Sequence, residues 1–230
     1  MSKSLIHIIL ILTSLLSIFP FIWLTSTSLK GLGEDIFAYP PHLIPSDFTW
    51  ANYVDVWHRV NFMGYFWNSV IVAALTVILN LVLSSLAAYP LARMSFKGKK
   101  FFFFAILATI MIPFQAIMLP VYIITLKLHL IDSVNNVMGY IGLVMPFAVS
   151  AFGIFLMRQA FIKVPKEVEE AAIVDGCNVF QMFTRVVIPM VKPTLAVLAV
   201  FTFIGSWGEF LWPSIMLTKD AMYTLPVGIN

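Results

Sequence analysis

Two places in this sequence gather residue types that could do chemistry. The first is Glu170-Ala171-Ala172, with Gly176 four positions on, then Val186, Ile188 and Pro189. Glu167, Glu169 and Glu170 suit the positive end of a helix dipole, and Pro165 can hold the first helical position. Ala171 and Ala172 leave a nearly bare surface that a partner's backbone could approach. Gly176 stops the helix. Asn178 can cap a second helix with Gln181 three residues later. Val179, Met182, Phe183 and Val186 give that helix one apolar face, and Pro189 and Pro193 end it. A unit of this kind is built for docking, not for making bonds. The second place is Glu209, set among Trp207, Phe210 and Trp212. A carboxylate among rings could hydrogen-bond a solute's hydroxyls while the rings pack on its apolar faces. An interfacial aromatic belt is the alternative reading. Asn80, Gln115 and Asn68 are weaker candidates, since interhelical hydrogen bonds explain them equally well.

Little else in the chain is reactive, and no catalytic residue is assigned. Cys177 is the single cysteine, which excludes an intrachain disulfide. His7, His42, His58 and His129 are scattered without ligand spacing, so no metal site is expected. No G-x-x-x-x-G-K-[ST] occurs, so the chain has no P-loop of its own and no bound cofactor is expected. Gly31-Leu32-Gly33-Glu34 reads as a turn, and the apolar stretches lack the paired aspartates of an intramembrane protease.

The elements that position these residues must be membrane helices. The chain has 230 residues, 60% hydrophobic and 11% charged, with mean hydropathy +0.94. Soluble domains carry about 25% charged residues, so a water-facing globule is excluded, together with soluble enzymes and nucleic-acid binders. Stretches poor in charge place five spans at about 5–24, 66–91, 101–124, 137–157 and 194–217. The first is too long for a secretory signal and reads as an uncleaved anchor. With the N-terminus inside, the inner segments 1–4, 93–100 and 158–193 hold ten basic residues in 48 positions, against four in 63 outside. Positive charge is retained in the cytoplasm, so a cytoplasmic N-terminus and a cytoplasmic 158–193 loop are expected. The net charge of +3 fits that retention and not nucleic-acid binding. Pro113, Pro120, Pro146, Pro213, Gly139, Gly142 and Gly153 fall within the spans and read first as helix packing.

The spaced pattern from Glu170 to Pro189 resembles the EAA loop of ABC-importer permeases, with Val186 and Ile188 as mild departures. The outer segment from Ser28-Leu29-Lys30 through Ile36-Phe37, Pro40-Pro41, Leu43-Ile44-Pro45 and Phe48-Thr49 to Asn52-Tyr53 and Val56-Trp57 is similar to that of MalG-type sugar permeases. Trp207-Gly208-Glu209-Phe210-Leu211-Trp212-Pro213 resembles their fifth-helix motif, with Gly208 where Asn is commoner. The resemblance covers essentially the whole chain. It implies an all-α polytopic bundle of the type I importer permease fold, one transmembrane domain over 1–230. It also implies a sixth span beyond Asn230, so a fragment lacking that span is expected. The implied partners are a related second permease subunit, two ATP-binding subunits that use ATP-Mg, an external solute-binding protein, membrane lipid and a sugar-like solute. Glu167, Glu170, Ala171, Ala172, Asp175, Gly176 and Pro189 would meet the ATPase. Glu209, Trp207, Trp212, Asn80 and Gln115 would line the solute pathway. A permease for polyamine or another small solute is the runner-up, and a secondary transporter or channel the reading beyond that.

Overall fold

The computed structural model describes residues 3–36, 38–40, 42–131 and 136–230. Phe37 and Pro41 of the outer-segment motif lie outside the described residues. Contacts divide the chain into two units, Met1–Phe62 and Met63–Asn230. Among the described residues, two helices, α1 (Lys3–Ser28) and α3 (Phe62–Arg93), are each long and apolar enough to cross a membrane, and up to five crossings result if each bent helix pair counts as one.

The first unit contains α1, α2 (Ala51–Arg59) and the segment between them. That segment is closed by backbone hydrogen bonds from Gly31 to Asp47 and from Thr49 to Leu29, both 2.9 Å. The Asn52 amide clamps it further by donating to the carbonyls of Ser28 at 3.0 Å and Lys30 at 2.8 Å. The Lys30 ammonium lies 3.6 Å from Glu34 and 5.3 Å from the Trp23 ring centroid. Glu34 accepts a hydrogen bond from the Ser46 backbone at 2.9 Å. Burial pushes the Glu34 carboxyl up, but bonds from Ser46 and Asp47 and the Lys30 charge outweigh it and hold it below its ordinary value.

The second unit is organised along α3. Its buried face repeats every three to four residues and is small or polar, including Asn68, Ser69, Ala73, Thr76, Asn80, Ser84 and Ala88. Ile71, Leu75, Ile78, Val82 and Leu86 point outward and are exposed. That is the inverse of a water-soluble helix. It fits a bilayer, where small residues let backbones approach and apolar ones face lipid.

Two buried clusters sit on this helix. Near its start, Val72 joins Leu143, Val144, Trp212 and Met216. Near its end, Tyr89 and Leu91 join Met157, Phe161, Phe183, Val187 and Leu198. The segment after residue 217 is stitched to the start of α3. Asn68 donates to the carbonyls of Ala221 and Tyr223 at 2.9 and 3.0 Å and accepts from the Tyr140 hydroxyl at 2.6 Å. Asn68 is therefore an interhelical lock.

The remaining helices are interrupted where the backbone is punctuated. α4 (Lys99–Ala108) passes through a 3-10 turn and bends by 99° into α5 (Phe114–Lys127), with Pro113 at the corner. α6 (Asn136–Val144) bends by 60° into α7 (Ala151–Lys163) through Met145–Phe147. Ser150 restarts the helix, its hydroxyl accepting from the Gly153 N–H at 3.0 Å. Gly153 is needed for close approach. A Cβ there would come within 2.6 Å of the Ser84 hydroxyl and 2.9 Å of the Asn80 carbonyl oxygen.

Candidate functional site

The 158–193 loop folds as helix, elbow, helix. α7 continues to Lys163, and Pro165 acts as N-cap, one residue earlier than first-turn placement, for α8 (Lys166–Val174). The elbow is a complete Schellman motif. Cys177 N–H reaches the Ala172 carbonyl at 2.9 Å, and Gly176 N–H reaches Ile173 at 3.0 Å. Gly176 has φ +79°, and nothing lies within 4 Å of the Cβ it lacks. Its requirement is thus backbone conformation, not space. Asn178 then starts the next helix with a reciprocal capping box, Asn178 Oδ1 accepting from Gln181 N–H at 2.9 Å and Gln181 Oε1 from Asn178 N–H at 3.0 Å.

That second helix departs from the expected face. It runs from Val179 to Met190, beginning as α9 (Val179–Gln181) and ending as α10 (Ile188–Met190), with a π-helical stretch Met182–Val187 between them. The wider turn moves the buried face to Met182, Phe183 and Val187, leaving Val179 exposed and Val186 half-buried. Pro189 does not end the helix. It stands inside the run, where the π stretch precedes a residue that lacks a donor and crowds the carbonyl four residues back. The run stops at Val191 and turns by 78° into α11 (Lys192–Trp207).

Glu167, Glu170, Ala171 and Asp175 are exposed, so they remain open to a docking partner. Ala172 is not. It is buried against the chain itself, so its small side chain serves the close packing of α8 on the π stretch. Glu169 is also turned inward, its carboxylate 2.9 Å from Arg93 Nε at the end of α3. In the sequence Glu169 reads only as a helix-dipole carboxylate, because a partner 76 residues away leaves no local signal.

The pathway candidates divide as well. A cavity of about 760 Å³ opens between α3, the α4–α5 corner, the α6–α7 break and α11. Glu209 and Asn80 both line it, joined by Thr76, Thr109, Ser150, Thr202 and Ser206 and by the rings of Phe114, Phe147, Phe152 and Phe201. The volume lies in the ordinary range for small-molecule sites. Glu209 sits just past the end of α11, not within a continuous fifth helix, because the chain breaks at Gly208–Phe210 before α12 (Leu211–Met216). Its Oε1 accepts from the Trp212 N–H at 3.1 Å and so caps α12. Asn80 is held by donation to the Phe147 carbonyl at 3.1 Å, with Ser84 and Ser150 pointing at its oxygen.

Trp212, Trp207 and Gln115 do not line this cavity. Trp212 is fully buried, its indole N–H donating to the Gly142 carbonyl at 3.2 Å. Trp207 packs on Phe203 and Phe66 at 5.5 and 5.8 Å. Gln115 is exposed on α5. Ser150, Thr202, Ser206 and the phenylalanines were not singled out in the sequence, although Ser150 after Pro146 had the form of a helix cap. Among the described residues, no group of three or more His, Cys, Asp or Glu side chains could hold a metal ion.

Apolar helices of membrane type thus surround a solute-sized cavity, and an exposed acidic helix lies outside its lining. Residues 80–230 match the family described as binding-protein-dependent transport system inner membrane component, and the chain belongs to that family. It is 34% identical to the arabinooligosaccharides transport system permease protein AraQ of Bacillus subtilis, over 94% of this chain and 76% of that protein. It is 35% identical to AraQ of Halalkalibacterium halodurans over 80% of this chain, and the match spans only 64% of that relative's length. A bacterial ABC transporter involved in the import of the acidic polysaccharide alginate has a chain of the same fold. It superposes with a TM-score of 0.80 at 27% identity, covering 99% of this chain and 79% of that one.

Proposed function

We propose that this chain is a permease subunit of an ATP-binding-cassette importer that passes a neutral sugar or oligosaccharide across the inner membrane by alternating access. The observation that carries the proposal is the exposed acidic helix α8, which starts at the Pro165 corner, is closed at its C-terminal end by the Gly176 elbow, and contributes no residue to the cavity lining. Such a helix can seat in a cleft of a partner ATPase, with Glu170 meeting a basic residue there, and can move as a rigid body when the ATPase closes. In this reading ATP-Mg is hydrolysed in two partner subunits. A second, related permease completes the pathway, and an external binding protein delivers the solute. The N-terminus and the 158–193 loop face the cytoplasm, which fits the asymmetry of basic residues.

The lining of the cavity supports the solute class. Hydroxyls and one amide lie among four phenylalanines, a mixture that suits a polyhydroxylated ring with apolar faces. Among the described residues, Glu209 is the one charged residue in that lining, and it disfavours anionic solutes. The same carboxylate favours the runner-up reading, a cationic polyamine. Reconstitution with the partner subunits and binding protein separates the two, using arabinotriose, spermidine and a uronate oligosaccharide as probes. ATP-dependent uptake of the neutral sugar is expected. Spermidine uptake alone would replace the sugar reading, and uptake of none of the three would reject both.

A further inference from the structure

We propose that the Arg93–Glu169 ion pair is the strut that carries movement of α8 into α3 and hence to the cavity. The proposal rests on the reading of α8 as the docking helix. Two adjacent carboxylates on α8 differ in burial, although both line one pocket beside Arg93 and Lys99. Glu170 is exposed, whereas the Glu169 side chain is only 15% exposed and Arg93 only 9%. Arg93 also donates to the carbonyl of Val164, just before the Pro165 corner. One side chain from the end of α3 therefore ties residues on both sides of the corner that leads into α8.

The end of α3 is a junction of cations. The last carbonyls of a helix lack partners within it and carry its negative pole. Here Arg158 of α7 donates to the Leu91 carbonyl at 3.0 Å, and Lys99 of α4 donates to Ala92 and Met94 at 3.1 and 2.9 Å. Those two cations fasten α7 and α4 to α3. Arg93 fastens α8. One turn earlier, Tyr89 packs on Phe161 and Phe183 at 5.8 and 5.1 Å, so the junction rests on the larger buried cluster.

The geometry gives the strut something to move. Asn80 lies on the same helix as Arg93, about 20 Å along its axis at 1.5 Å per residue. Thr76 is one turn further, and both line the cavity. Separating a poorly hydrated ion pair leaves two uncompensated charges, which is strongly unfavourable. A displaced α8 therefore takes the end of α3 with it. In this account Arg93 and Glu169 position the cavity, whereas Glu170 holds the partner.

The test uses the complete importer, reconstituted with its partner subunits, in a Cys177→Ser background carrying Thr202→Cys as a cavity probe. The reading is the change in maleimide labelling of that probe on adding ATP and vanadate, which needs no knowledge of the solute. Arg93→Gln and Glu169→Gln should retain the ATPase subunits through purification yet reduce the nucleotide-dependent change by about tenfold, within the range for directly coupled residues. The exchange Arg93→Glu with Glu169→Arg should recover part of it, which rules out simple misfolding of the single variants. Glu170→Gln should instead lose ATPase subunits. Single variants that respond like the parent, or an exchange no better than either single variant, would overturn the strut. A parent complex with no nucleotide response would overturn the importer reading itself, and the strut with it.

Discussion

Two tasks, one seen and one proposed, meet at Glu209, and a pair of substitutions can separate them. Its carboxylate caps α12 through the Trp212 N–H and is the charged group of the cavity lining. Glu209→Gln keeps an acceptor oxygen for the cap and removes the charge. Glu209→Leu removes both. The lost cap costs about 0.5–2 kcal/mol, or a shift in melting temperature of about 2–4 °C per kcal/mol for a chain of this size. In the proposed reading the charge acts on the solute. A second carboxylate about 6 Å away, at an effective dielectric of about 20, is repelled by ~2.8 kcal/mol, about a hundredfold in affinity. Glu209→Gln should therefore leave arabinotriose uptake within a few-fold of wild type and improve uptake of a uronate oligosaccharide by up to about that factor. Glu209→Leu should melt earlier and transport both poorly. The assay is uptake of each probe by reconstituted vesicles at saturating binding protein, paired with melting in detergent. Unchanged discrimination in the glutamine variant, with its melting intact, would refute a solute-facing role for this carboxylate.

Three further expectations are independent of that one. Gly153→Val should destabilise the α3–α7 contact by about 1–3 kcal/mol, since even a Cβ would press on Ser84, Ser150 and Asn80. Melting of the purified protein reads this directly, and a wild-type midpoint would show that the helices are not closely apposed there. In the first unit, the lowered carboxyl of Glu34 favours the charged form in the folded segment. Its stabilisation is fully present above the ordinary carboxylate range and is lost as pH falls through the lowered value. Proteolysis across residues 29–50 should accelerate in acid with wild-type protein and show a weaker pH dependence in Glu34→Gln. For orientation, an impermeant thiol reagent applied outside cells in a Cys177→Ser background should label Asp47→Cys and spare Ser95→Cys. The reverse pattern would invert the topology.

Features governed by neighbouring residues were legible in the sequence, and features governed by distant ones were not. Gly176 and the Asn178–Gln181 pair could be read because a Schellman motif and a capping box use residues within one turn of each other. Apolar stretches located the helices because bilayer thickness sets their length. The π stretch at Met182–Val187 was invisible, and it moved the apolar face off Val179 and Val186. The break after Trp207 could not be seen in an apolar run, although Glu209 proved to be the cap that follows it. Trp212 looked like a pathway ring because it flanks Glu209, but its indole is spent on Gly142 inside the core. Ala172 and Glu169 turned inward for a reason held elsewhere in the chain, namely the end of α3 and the helix after the elbow.

The central claim is that α8 and its elbow join this subunit to the source of ATP energy. It is tested most directly by measuring solute-stimulated ATP hydrolysis and uptake in the same reconstituted vesicles for Glu170→Ala and Gly176→Val. Loss of a charge-assisted contact at Glu170 weakens docking by about 1.5–3 kcal/mol, or one to two powers of ten. Valine at a φ of +79° strains the elbow by about 1–2 kcal/mol even though space is free around it. The account predicts that both variants insert normally, retain less ATPase or hydrolyse ATP without stimulation by solute, and lose uptake in parallel. Wild-type subunit retention together with wild-type stimulation and uptake in both variants would contradict it.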